Sequence, residues 1–152
     1  MSKYDRTAQE VIILPTVATG ANVAVFNEID VIYVPAGEIW LLKSFCIRLT
    51  QGATQTPMPI LRVFKASACM WAGYGSTTVQ AINTTCRYSW APGLQLTGQI
   101  GATTEVHSNA PMPADLILYG GAGSDVFIDI STIGLGANSD YQAPTYVYEK
   151  LG

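Results

Sequence analysis

A chain of 152 residues, 49% hydrophobic and 12% charged, is long enough for one domain that buries about two-thirds of its unfolded surface. It carries far less charge than the roughly 25% usual in a soluble domain. The net charge of −3 and the scatter of its basic residues along the chain argue against nucleic acid, which is bound by clustered Lys and Arg. Apolar runs such as Ile39–Leu42 are a few residues long and fall far short of the roughly 20 that a membrane-spanning helix needs.

Residues 1–10 (MSKYDRTAQE) are polar and read as a short N-terminal arm. They lack the apolar core of a signal peptide, which predicts a chain made and kept in a cytosol. Residues 11–152 read as one domain. Glu10–Leu14 is a short strand ended by Pro15, and Asn22–Phe26 and Asp30–Val34 follow. Pro35-Ala36-Gly37-Glu38 is a tight turn, because Pro presets φ and Gly accepts the left-handed conformation after it. Behind it lies the clearest strand, Ile39–Leu49, with Ile39, Leu41, Phe45, Ile47 and Leu49 on one face and Lys43 as that face's exception. Gln51–Pro59 is a loop, and Ile60–Trp71 reads as one long strand leaving through Gly73-Tyr74-Gly75. Thr77–Ile82 and Thr85–Trp90 read as a hairpin through Asn83, and Leu94–Pro113 as an irregular binding loop. Asp115–Tyr119, a turn at Gly120–Gly123, Ser124–Ser131, a loop over Thr132–Pro144 and a last strand Thr145–Lys150 complete the chain. Short β-rich stretches between Gly, Pro, Asn and Asp predict an all-β fold. The expected architecture is a two-sheet antiparallel β-sandwich of jelly-roll type, with about nine strands.

Few residues carry chemistry. His107 is the only histidine and lies in the predicted loop, so neither a Ser–His–acid site nor a multi-histidine metal site is expected. The three cysteines, Cys46, Cys69 and Cys86, form no CxxC pair and read as buried thiols. Gly120-Gly-Ala-Gly-Ser-Asp125-Val-Phe-Ile128 matches a calcium-binding nonapeptide, but one copy supplies part of a coordination shell, and a hairpin turn explains it better. Asn83-Thr84-Thr85 fits a glycosylation sequon but is discounted, since such triplets arise by chance in a Thr-rich chain and no signal peptide is read here. The acids Asp30, Glu38, Asp115, Asp125, Asp129 and Glu149 show no pairing that marks a glycosidase. No catalytic residue, cofactor or metal is expected.

The aromatic residues point to binding. Trp40, Trp71, Trp90, Tyr33, Tyr74, Tyr88, Tyr119, Tyr146 and Tyr148 are many for so uncharged a chain, and those outside the core suit protein interfaces or sugar stacking. The shortage of charge predicts a surface partly covered by copies of the chain or by a partner, against the alternative of a neutral Thr/Ser/Gly coat on a monomer. Three stretches carry a family resemblance. They are Val34-Pro-Ala-Gly-Glu-Ile-Trp40 with the strand ending Ile-Arg-Leu-Thr50, Asn83-Thr-Thr-Cys-Arg-Tyr-Ser-Trp-Ala-Pro-Gly-Leu94, and Met112-Pro-Ala-Asp-Leu-Ile-Leu-Tyr-Gly-Gly121. In order and spacing, over about residues 20–150, the chain resembles jelly-roll head decoration (cement) proteins of tailed bacteriophages. The resemblance implies a structural virion protein on the capsid surface, assembled in the host cytoplasm. It would bind the major capsid protein as a homodimer or homotrimer, with no nucleic acid and no membrane as partner. The arm Ser2–Glu10, with Tyr4 and Arg6, and the loop Gln95–Pro113, with Gln95, Thr104 and His107, are the contact candidates. Tyr146 and Tyr148, which share a face of the last strand, join them. The alternative is a carbohydrate- or receptor-binding module of a phage tail or fibre, which needs coplanar aromatics on an exposed face.

Overall fold

The computed structural model describes residues 10–13, 26–28, 32–52, 56–101, 105–123, 125–133, 140–142 and 144–152. Among them are twelve strands and no helix: β1 (Glu10–Ile13), β2 (Phe26–Glu28), β3 (Ile32–Tyr33), β4 (Ile39–Thr50), β5 (Met58–Lys65), β6 (Ala68–Tyr74), β7 (Thr85–Ala91), β8 (Glu105–Pro111), β9 (Ile117–Tyr119), β10 (Val126–Ile133), β11 (Asp140–Tyr141) and β12 (Thr145–Lys150). They form two sheets, ordered β1-β12-β4-β7-β8 and β2-β10-β5-β6. The short strands double up. Strand β11 continues the position of β12 beside β4, β9 that of β7, and β3 that of β2 beside β10. Nine strand positions result, and their chain order winds between the sheets as in a jelly roll. Strand β8 is the addition, lying parallel to β7 at the sheet's edge.

The sheets pack through a largely aromatic core. Phe45, Tyr88, Trp90, Tyr146, Tyr148 and Trp40 are all buried on the inner face of the larger sheet, with Trp40 stacked on Tyr148 at 3.9 Å. Leu61, Val63, Ile128 and Ile130 face them from the smaller one. Each fully buried apolar side chain contributes about 1.5–3 kcal/mol. Gly75 lets the sheets close, since a Cβ there would stand 2.8 Å from the rings of both Tyr88 and Trp90.

Strand β4 departs from the expected phase. Phe45, Ile47 and Leu49 face the core, but so do Trp40 and Leu42, while Ile39 and Leu41 are half-buried on the other side. The register against β12 slips between Val147 and Tyr148, so that Ser44 and Leu42 oppose consecutive residues and Lys43 is the extra one. A bulge of this kind inverts the alternation of a strand, and a single-phase reading cannot contain it.

Three other expectations need correction. Ile60–Trp71 is a hairpin, turned at Ala66 with φ 52°, and no Gly, Pro or Asn announced that turn. Thr77–Ile82 is not a strand. The segment is pinned by buried Gln80, whose Nε2 donates to the carbonyls of Leu49 and Thr84, both at 2.9 Å, and whose Oε1 accepts from Tyr88 at 3.0 Å. The supposed loop Leu94–Pro113 contains β8, with buried Val106, Ser108 and Ala110 on its inner face. By contrast, the glycine-rich turn is a turn. A Cβ at Gly120 would lie 1.9 Å from the Pro35 carbonyl oxygen, and one at Gly121 would strike the Asp125 carboxylate.

Candidate functional site

The outward residues of the smaller sheet follow from its register. Phe64 pairs with Phe127, and Phe127 with Tyr33, while their neighbours Val63, Val126, Ile128 and Ile32 point into the core. The result is a row of rings across three strands, with centroids 5.0 Å apart for Phe64–Phe127 and 5.8 Å for Tyr33–Phe127. Arg62 lies over Phe64, 4.9 Å from its centroid. Its guanidinium donates twice to Asp129, from Nε at 2.8 Å and Nη2 at 2.7 Å. The bidentate pair cancels its own charge, so this part of the face is apolar without being charged.

Phe64 also borders a cleft of about 390 Å³ that opens between the two sheets, among β5, β6 and β9, whose rim includes Met70, Ile117 and Tyr119. Met70 and Tyr119 are each 63% exposed and Tyr33 is 50% exposed. On the other side of β6 a second groove, about 430 Å³, runs between Trp71–Tyr74 and Leu96, Pro111, Met112 and Pro113. Strand β6 thus has an apolar depression on each side. It is the last strand of its sheet and carries no charged residue. Edge strands are usually blunted by charge or cover. Strand β8 is covered, because Ile100 exchanges two 2.8 Å backbone hydrogen bonds with His107 and Thr97 donates to Asn109. On β6 the Gly73 carbonyl accepts from Trp90 Nε1 at 3.1 Å. A ring row, an exposed Met and an uncharged edge suit the burial of another apolar surface. The chain matches no family model, no curated protein and no solved structure.

The expected contact residues are not brought together. Gln95 is exposed beside the second groove, and His107 is exposed on β8 instead of in a loop. Tyr4, Arg6 and Thr104 lie outside the described residues. Tyr146 and Tyr148 do share a face, but it is the inner one. They are 3% and 4% exposed, packed against Trp40 and Phe45, so they are core residues and not contacts. Burial also raises the Tyr146 hydroxyl's pKa. Trp40 and Trp90 are buried and Trp71 lies partly against the core, which leaves no coplanar row of exposed tryptophans. His107 and Ser108 point to opposite faces, with Ser108 Oγ donating to the Gly75 carbonyl at 2.7 Å. The cysteines divide as well: all three are free, with Cys86 buried, Cys46 intermediate and Cys69 exposed on β6. Met70, Ile117, Phe64 and Phe127 escaped the sequence reading. The one available signal was the uncharged run Ala68–Tyr74.

Proposed function

We propose that this jelly-roll domain is a structural virion protein that decorates and stabilises a phage capsid, binding major capsid protein subunits as an oligomer. The observation that supports it is the row of rings Tyr33, Phe127 and Phe64 across the outer side of the smaller sheet, exposed at Tyr33, together with a separate apolar cleft rimmed by the exposed Met70, Ile117 and Tyr119. Rigid aromatics on a preformed sheet lose little entropy when covered, and a flexible Met adapts its shape to the surface it meets, which makes such residues frequent at interfaces. Many copies on one lattice would add these contacts at equivalent positions and stabilise the shell by mass action. The capsid as partner rests on the resemblance of the three turn-and-strand stretches. The carbohydrate-binding alternative loses support from the burial of Trp40 and Trp90.

Sedimentation tests the proposal. The chain is expected to be an oligomer in analytical ultracentrifugation and to co-sediment with the heads of its phage. A Met70→Ser/Tyr119→Ser variant should keep its fold and lose at least tenfold in one of those associations. A monomer without affinity for heads ends the proposal.

A further inference from the structure

The outer face of the larger sheet holds a feature of a different kind. Register sets Arg48 of β4 directly opposite Arg87 of β7, and Arg87 opposite His107 of β8. All three point outward, because their neighbours Ile47, Leu49, Cys86, Tyr88, Val106 and Ser108 are buried. Three strands side by side span about 10 Å. Like charges placed directly opposite in a sheet are destabilising, so this arrangement calls for a counter-charge.

One carboxylate answers among the described residues. Glu105 Oε1 stands 3.5 Å from Arg48 Nη2 and 3.8 Å from Arg87 Nη2. Charge-assisted hydrogen bonds close to about 2.7–2.9 Å, as Arg62–Asp129 does at 2.7 Å in the same molecule. The two guanidinium groups therefore share one carboxylate, and neither is closely paired with it. Beside them lies a cavity of about 180 Å³ bounded by Cys46, Ile47, Arg48, Arg87, Gln142 and Thr145. Gln142 fixes one wall: its Oε1 accepts from Arg48 Nη1 at 3.2 Å, and its backbone N–H donates to the Arg48 carbonyl at 2.9 Å. Arg48 is held in place before any ligand arrives.

We propose that the Arg48–Arg87 pair forms an oxyanion-binding site that takes a single carboxylate, phosphate or sulfate group in the cavity beside Gln142 and Thr145. The held guanidinium of Arg48 and the adjacent, more exposed one of Arg87 present planar donors to the oxygens of such a group. The cavity admits one group, and the adjoining row Thr50–Thr85–Glu105 carries a negative charge that repels a second. That geometry favours one anion over a polyanion. The source is either a free inorganic anion or an acidic side chain presented by a protein partner. The site lies on the opposite sheet from the aromatic face and stands whether or not that face meets a capsid.

Titration of the full chain, followed by backbone and arginine side-chain NMR, tests this at constant ionic strength with chloride as balance. Phosphate is the probe in one arm and N-acetylglutamate amide in the other. Saturable shifts confined to Cys46–Leu49, Arg87–Ser89 and Gln142 are expected in at least one arm. A response to phosphate alone identifies an inorganic anion, and a response to the carboxylate identifies an acidic side chain. Arg87→Gln, at an exposed position, should weaken binding at least tenfold. Glu105→Gln removes the internal competitor and should tighten it severalfold, a gain that a structural role for the arginines would not produce. Shifts that never saturate, or a response unchanged in both variants, overturn the proposal.

Discussion

On the larger sheet the outward positions near the middle are Cys46, Arg48, Thr85, Arg87, Ser89 and His107; on the smaller one they are Tyr33, Ile60, Arg62, Phe64 and Phe127. The two faces use charge differently. The larger sheet holds longer pairs near its middle, Arg48–Glu105 at 3.5 Å and Lys43–Glu149 at 3.4 Å, and keeps its closed pair, Lys150–Glu38 at 2.6 Å, at its end. The smaller sheet has Arg62–Asp129, closed and bidentate, with the carboxylate shut off from solvent and the guanidinium part-buried, at side-chain exposures of 1% and 22%. An exposed pair contributes about 0–1 kcal/mol, and a buried one that loses a partner costs several. A chain with so little charge has therefore placed a closed, bidentate ion pair inside its aromatic face. There it neutralises itself and leaves the surrounding rings free to be covered.

Breaking that pair is the sharpest test of the contrast. Asp129→Ala should lower unfolding stability by about 3 kcal/mol in urea, because Arg62 keeps its charge against Phe64 after its bidentate acceptor is gone. Arg87→Gln on the opposite face should change stability by no more than about 1 kcal/mol. Equal losses would show that the two faces do not differ in this way.

How far the sequence foretold this contrast depends on which interactions are local. Strand β12 and the Pro35–Glu38 turn were legible because alternation and turn chemistry act over a few residues. The all-β jelly roll followed from such signals in series. Strand β8 was not legible: Val106, Ser108 and Ala110 make a weak apolar pattern, and parallel pairing with β7 leaves no hairpin signal. Neither outer face was legible as a face. Arg48, Arg87 and His107 are scattered along the chain and become a row only through register, and the Lys43 bulge decides which side of β4 each residue takes. The shared face of Tyr146 and Tyr148 was visible. Whether it pointed in or out was a tertiary fact.

The three thiols sample the two faces and the core between them, and they give a prediction of intermediate size. Burial pushes the Cys86 thiol up to about 12, with a hydrogen bond to Tyr88 opposing that rise. Its folded value lies above its unfolded one, so the stabilising difference is intact below the ordinary thiol range and is lost as pH rises toward about 12. Stability should fall by about 1 kcal/mol between pH 9 and 10, and Cys86→Ala should flatten part of that decline. Buried Tyr88 and Tyr141, both also shifted up by burial, carry the remainder at higher pH. With a water-soluble disulfide reagent, Cys69 should react first, Cys46 more slowly, and Cys86 only on unfolding. Rapid reaction of Cys86 in the native protein would contradict the closed core.

The smallest expected effect lies at the end of β4, where Glu38 holds two elements at once. One oxygen accepts from Lys150 Nζ at 2.6 Å and the other from Trp40 Nε1 at 2.7 Å. These two hydrogen bonds, the lysine's first, hold its pKa below the ordinary carboxylate value. The contribution is therefore complete above that ordinary value and is lost as pH falls through the depressed one. Glu38 is 26% and Lys150 41% exposed, and water screens much of the attraction, so Glu38→Gln should cost about 0.5 kcal/mol or less at neutral pH. The substitution keeps an oxygen for Trp40 and removes the charge for Lys150, and should leave stability less dependent on pH on the acid side. An acid limb as steep as in the parent chain would show that the Glu38–Lys150 contact does not set that dependence.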